Sequence, residues 1–104
     1  MKACYPYLKE TKGSVINFAS GAGLFGNFGQ CAYAAAKEGI RGLTRVAATE
    51  WGPDGINVNV VCPLAWTAQL EKEIGRVCVQ LASPDFKYMS GETLTLEGAM
   101  GQRP

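Results

Sequence analysis

Three short apolar runs alternate with two stretches long enough to be helices, and that order constrains the fold more than any single residue does. The runs are Ser14 to Ala19, Ile56 to Cys62 and Glu92 to Glu97. Short, nearly continuous apolar strands suit a parallel sheet covered on both faces. Between the first two, the sequence reads as helix from about Cys31 to Trp51, closed by the turn Gly52-Pro53-Asp54-Gly55. Pro63 ends the second run. An amphipathic helix follows from Glu71 to Ala82, with Ile74, Val77, Cys78 and Leu81 on one face, stopped at Ser83-Pro84-Asp85. Residues 1 to 11 read as the tail of a helix: Lys9 and Lys12 suit its C-terminus, and Gly13 supplies the stop. The predicted fold is α/β: a helix tail, then three parallel strands in the order β-α-β-α-β.

With 104 residues, the chain has room for one small domain, residues 1–104. Its 47% hydrophobic and 18% charged residues exclude a disordered composition. A net charge of +1 with no basic block argues against nucleic acid as a partner. Cys4, Cys31, Cys62 and Cys78 form no C-x-x-C pair, and there is no histidine to complete a zinc site. Each stands among apolar residues and reads as a buried or half-buried thiol in a reducing compartment. The N-terminus lacks the apolar core of a signal peptide, and no apolar run approaches the roughly 20 residues of a membrane helix. The expectation is a soluble, cytoplasmic protein.

The chemistry-bearing residues gather after the first run. Ser20 to Gln30 holds Gly21, Gly23, Gly26 and Gly29, a loop crossing the carboxyl edge of the sheet, where open α/β folds carry their sites. Tyr33 and Lys37 stand four apart and share a helix face. An ammonium beside a phenol favours phenolate, lowers the tyrosine pKa from about 10, and so makes a proton donor and acceptor. Taken singly, these residues are ordinary: Tyr and Lys at this spacing occur on any helix, and Ser20 beside Gly21 also fits a plain turn. Their combination carries the reading.

A strand ending in Ser20, Tyr33-x-x-x-Lys37 on a long helix, Ile56-Asn57-Val58-Asn59 running into Val60-Val61-Cys62-Pro63, and a last strand in Gly91 to Gly98 follow in order. Together they resemble the second half of the short-chain dehydrogenase/reductase family, over essentially the whole chain. The resemblance implies a partial Rossmann-like layer and hydride transfer between NAD or NADP and a small carbonyl or alcohol. Tyr33 would give or take the hydroxyl proton. Lys37 would hold the nicotinamide ribose, and Ser20 the substrate oxygen. Pro63 and Thr67 would meet the cofactor's nicotinamide end, although Leu64 stands where the family has glycine and Thr67 comes one residue early. Ala68-Gln69-Leu70 leads almost directly into the next helix, so the segment that normally covers the substrate is shortened.

The family's N-terminal dinucleotide-binding half, with its glycine-rich turn and an upstream asparagine, has no counterpart here. Gly21-x-Gly23-x-x-Gly26 fits G-x-G-x-x-G in letters, but lacks an acidic ribose ligand about 20 residues on, and reads as the active-site loop. Two functional readings follow. One is a truncated catalytic half that binds NAD(P) poorly by itself. The other is a catalytically silent, self-associating α/β fragment, in which the first strand pairs with its copy or the helix 31–51 packs on its copy.

Overall fold

The computed structural model describes residues 1–21, 24, 26, 28–63 and 68–96. After a 3-10 turn at Lys2–Cys4 come α1 (Tyr5–Thr11), β1 (Ser14–Phe18), α2 (Cys31–Trp51), a 3-10 turn at Gly52–Asp54, β2 (Asn57–Pro63), α3 (Ala68–Leu81), a 3-10 turn at Pro84–Phe86 and β3 (Thr93–Leu96). The strands form one parallel sheet in the order β1-β2-β3. Register runs from Ser14 opposite Asn57 to Phe18 opposite Val61, and from Val60 opposite Thr93 to Pro63 opposite Leu96. The ladder continues one bond past β1, with the Ala19 amide donating to Val61 O at 3.0 Å.

β2 is the middle strand, and every residue from Asn57 to Cys62 is buried. Side chains alternate between faces along a strand, and here the two faces differ in chemistry. The even-numbered residues meet the helices: Val60 and Cys62 pack with Ala19, Leu24 and Ile40, while Ile56 and Val58 pack with Leu8, Val15, Ala47 and Trp51. Asn57 and Asn59, on the other face, act as surrogate backbone for the segment that leads into β3. Asn59 Nδ2 donates to Met89 O at 2.9 Å, and its Oδ1 accepts from the Glu92 amide at 3.0 Å. Asn57 Nδ2 reaches Phe86 O at 3.3 Å and Met89 O at 3.4 Å, and the Val58 amide donates to Ser90 Oγ at 3.0 Å. Two buried polar residues are thus tolerated in an apolar strand because their hydrogen-bonding capacity is used.

α1 is joined to the far end of α2. The Tyr5 ring lies 5.1 Å from that of Trp51, and its hydroxyl donates to Asp54, which Lys9 also approaches at 3.8 Å. α1 ends where the sequence places its stop. Lys12 is the left-handed cap, at φ 53°, ψ 51°, and the Gly13 amide donates to Leu8 O at 3.0 Å. The Lys87 ammonium donates to the carbonyls of Lys12 and Gly13, and so gives the helix terminus the cation that it favours. The cysteines need a correction. Cys62 is buried and Cys78 half-buried, but Cys4 and Cys31 are exposed. Both exposed thiols sit at helix starts, Cys4 just before α1 and Cys31 at the first position of α2, where their neighbours Ala3, Ala32 and Tyr33 are exposed as well. None of the four is in a disulfide. Among the described residues no helix is long and apolar enough to cross a membrane.

Candidate active site

α2 lies along the sheet with its N-terminus at the carboxyl edge. Twenty-one residues make a helix about 31 Å long, whereas the seven of β2 extend about 23 Å. The helix must therefore overshoot the sheet. Its sheet-facing strip is Lys37, Ile40, Arg41, Thr44, Ala47, Ala48 and Trp51, all buried or half-buried. Tyr33 lies on the same strip, because Trp51 is five turns further on at 3.6 residues per turn. Yet Tyr33 is 47% exposed. It occupies the overshoot, where the strip has run past the strands.

Lys37 is the next member of the strip. Its Nζ stands 5.8 Å from the centre of the Tyr33 ring and donates to Phe18 O at 3.3 Å. Phe18 is the last residue of β1, and Ser20 follows two residues later, buried. The Phe18–Val61 pairing puts Ser20 and Pro63 at the same level, each two residues beyond the pair. The structure thus brings Ser20, Lys37, Tyr33 and Pro63 to one edge of the sheet. Thr67 lies outside the described residues.

Sequence reasoning missed what holds α2 over this edge. Asn17 Nδ2, on β1, donates to Thr44 Oγ1 at 3.0 Å, and the Thr44 hydroxyl donates to Ile40 O at 2.7 Å. On the other flank, Arg41 Nε donates to Thr93 Oγ1 of β3 at 3.3 Å, while its Nη1 holds Glu38 at 2.6 Å. A second cation, four residues after Lys37 on the strip that faces the sheet, was the available signal.

A nicotinamide dinucleotide is the group implied by the sequence resemblance, and its ribose end fits this edge. An ammonium has three N–H donors. Among the described residues Lys37 uses one, on Phe18 O. The exposed Tyr33 hydroxyl adds a donor and acceptor a turn away. Two open hollows of about 440 and 300 Å³ lie at the opposite, amino edge, both lined by Lys12 and Lys87. They are remote from Tyr33 and take no part in this arrangement.

Comparison with known proteins agrees with the fold. A family model described as short chain dehydrogenase matches residues 1–77. A 12alpha-hydroxysteroid dehydrogenase from Clostridium sp. is 70% identical, over 100% of this chain and 50% of its own length. That alignment runs over 130 positions against 104 residues here, so the relative carries residues within the matched stretch that this chain lacks. A trans-4-hydroxycyclohexanecarboxylate dehydrogenase from Sinomonas cyclohexanicum is 37% identical over 94% of this chain and 45% of the relative. Among solved structures, the Cj0485 dehydrogenase superposes with a TM-score of 0.89 at 26% identity, over 99% of this chain and 51% of that one. A 4-hydroxyisoleucine dehydrogenase complexed with NADH and succinate gives 0.79 at 29% identity, over 89% and 47%. The chain spans about half the length of the curated relatives it matches. A parallel α/β layer, a tyrosine and lysine carried past its carboxyl edge, and this degree of sequence identity together place the chain in the short-chain dehydrogenase family.

Proposed function

We propose that this chain is the acid–base half of an NAD(P)-dependent oxidoreductase, a single domain equivalent to the C-terminal half of a short-chain dehydrogenase. Its substrate class is a secondary alcohol or ketone on an aliphatic ring. The observation that carries the proposal is Tyr33, on the buried strip of α2 but exposed beyond the sheet. In this reading the Tyr33 hydroxyl gives a proton to the carbonyl oxygen during reduction and takes it back during oxidation. Ser20 holds that oxygen in place. Lys37, tethered to Phe18 O, directs its remaining N–H groups toward the nicotinamide ribose, and Pro63 and Thr67 border the nicotinamide end. The bound nicotinamide supplies the hydride chemistry. Support for a ring alcohol comes from the names of the 70% and 37% identical relatives, a hydroxysteroid and a hydroxycyclohexanecarboxylate dehydrogenase.

These 104 residues alone bind NADH or NADPH weakly or not at all, because their one G-x-G-x-x-G run, Gly21 to Gly26, lacks an acidic ribose ligand about 20 residues on. Fluorescence titration tests this, and micromolar binding with carbonyl turnover would overturn it. The catalytic assignment is tested in a chimera, with this chain replacing the corresponding half of the Clostridium relative. The chimera turns over the hydroxysteroid, and Tyr33→Phe in it abolishes turnover. Unchanged turnover in the Tyr33→Phe chimera refutes the role of Tyr33.

A second reading, self-association, is favoured by the outward side of α2. Leu43 and Val46 are 52% and 55% exposed, and Gly39, with open space where a Cβ would stand, continues their line. Two copies packed along this line would bury it. Sedimentation showing only monomer at micromolar concentration counts against this reading.

A further inference from the structure

We propose that Arg41 is a positioning residue: it fixes the rotation of α2 about its own axis, so that Lys37 meets the Phe18 carbonyl and Tyr33 stands over the sheet edge. The proposal rests on the reading of Tyr33 and Lys37 given above and extends it to a residue that touches neither substrate nor cofactor.

The roll of α2 is governed by leverage. The helix runs over β2, the middle strand, and packs on it through Ile40 and Ala47. Apolar contacts of this kind set distance well but rotation poorly, because small side chains slide over one another. Rotation is set by what reaches sideways. Toward β1 there are two polar ties, Lys37 to Phe18 O and Asn17 to Thr44. Toward β3 there is one among the described residues, Arg41 Nε to Thr93 Oγ1 at 3.3 Å. Ties on one flank alone leave the helix free to roll either way within their slack; a tie on the opposite flank narrows that freedom.

The side-chain surface of a helix lies about 5–6 Å from its axis. A roll of about 15° then displaces a side-chain atom by roughly 1.5 Å. Starting from 3.3 Å, the Lys37–Phe18 contact would open beyond hydrogen-bonding range. Arg41 is well placed to oppose such a roll. Its side chain is only 17% exposed, and a second nitrogen of the same planar fork grips Glu38 at 2.6 Å, one residue from Lys37. The guanidinium therefore joins the base of β3 to the helical turn that carries Lys37. The signal in the sequence is a cation at i+4 from Lys37, on the strip that faces the sheet.

The proposal is tested by NMR of the whole 104-residue chain. The spectra read the Phe18 carbonyl carbon shift and the exchange protection of the Lys37 ammonium protons, with the Ala19 amide (bonded to Val61 O) reporting that the sheet is intact. Arg41→Ala moves the Phe18 carbonyl shift toward that of a Lys37→Met control and removes the Lys37 ammonium signal, while Ala19 stays protected. Thr93→Val, nearly isosteric and less disruptive, gives the same change; Arg41→Lys restores part of it. If Phe18 and Lys37 are unmoved in Thr93→Val, or the helix pair with Glu38 proves sufficient without Thr93, the proposal fails. Tyr33→Phe leaves both signals unchanged, so failure of the acid–base assignment is read separately, in the chimera.

Discussion

Replacing Asn59 by leucine tests whether the carboxamides of β2 organise the approach to β3. Asn59 is 1% exposed and makes two bonds, to Met89 O and from the Glu92 amide. Leucine, of similar volume, fills the space and removes both. Each net hydrogen bond contributes about 1 kcal/mol, and a donor left without an acceptor costs a further ~1–3 kcal/mol. The two losses are unequal. Met89 O keeps a second donor in Asn57 at 3.4 Å, whereas the Glu92 amide has no other acceptor among the described residues. The expected cost is therefore about 3 kcal/mol, a large share of the ~5–15 kcal/mol typical of a domain. At about 4–8 °C per kcal/mol, Tm falls by roughly 12–24 °C. Urea titration measures the free energy, and hydrogen exchange at Glu92 localises it. Asn59→Asp separates the two bonds. It keeps the acceptor for Glu92, but at neutral pH it sets a carboxylate against Met89 O. Burial raises the pKa of such an aspartate above its unfolded value of about 3.9, so the deficit of Asn59→Asp shrinks as pH falls through the raised value and the protonated acid donates to Met89 O. A cost below about 1 kcal/mol for Asn59→Leu, with Glu92 still protected, would show that the segment before β3 holds itself and that the carboxamides merely occupy space.

Three other perturbations probe the elements around the site. Tyr33→Phe should change stability by less than about 0.5 kcal/mol in urea titration, as expected of an exposed group; a larger loss would make its hydroxyl structural. Thr44→Val removes the acceptor for Asn17 at a fully buried position and should cost about 1–2 kcal/mol. A neutral result would mean that β1 does not tie α2 through that hydroxyl. The pKa of Tyr5 is raised from 10.0, first by its hydrogen bond to Asp54, then by burial and the Asp54 charge, and burial raises Cys78 from 9.0. Both folded values exceed the unfolded ones, so the stability they contribute is complete below about pH 9 and is lost as pH rises through the folded values. Tyr5→Phe should flatten the alkaline part of the stability profile, and an unchanged profile would remove the Tyr5–Asp54 contact from the account.

What could be read beforehand follows the range of the forces involved. The bounds of α2, Cys31 and Trp51, agree with expectation, because the periodicity of the strip and the Gly-Pro-Asp-Gly stop are local signals. The three strands also stand where their apolar runs are. Between Pro63 and α3 the sequence was less informative: the helix begins at Ala68, three residues before the expected Glu71, since Ala-Gln-Leu are themselves good helix formers. At the end of α1 the stop was legible, but the Lys87 ammonium on its last carbonyls was not, because it comes from 75 residues away. Asn57 and Asn59 likewise gave no warning of their partners, which lie about 30 residues on.

The candidate site was read from Tyr33 and Lys37 one turn apart and from Ser20 at the end of the first strand; the geometry of α2 adds a reason that the sequence analysis did not use. A helix longer than the strand it covers must carry part of its inward strip out over the strand's end, and whatever stands there is aligned by the buried turns without being buried itself. An aromatic residue in that position gains little from the hydrophobic effect, so its orientation serves something other than packing. Tyr33 satisfies this condition at the carboxyl edge, where Ser20 and Pro63 also arrive. The amino edge offers the contrast. There Lys87 is engaged by backbone carbonyls, and the larger open space beside it has no aligned aromatic residue and no strip running into it. The direction imposed by α2, rather than the open space at the amino edge, marks the carboxyl edge as the candidate site.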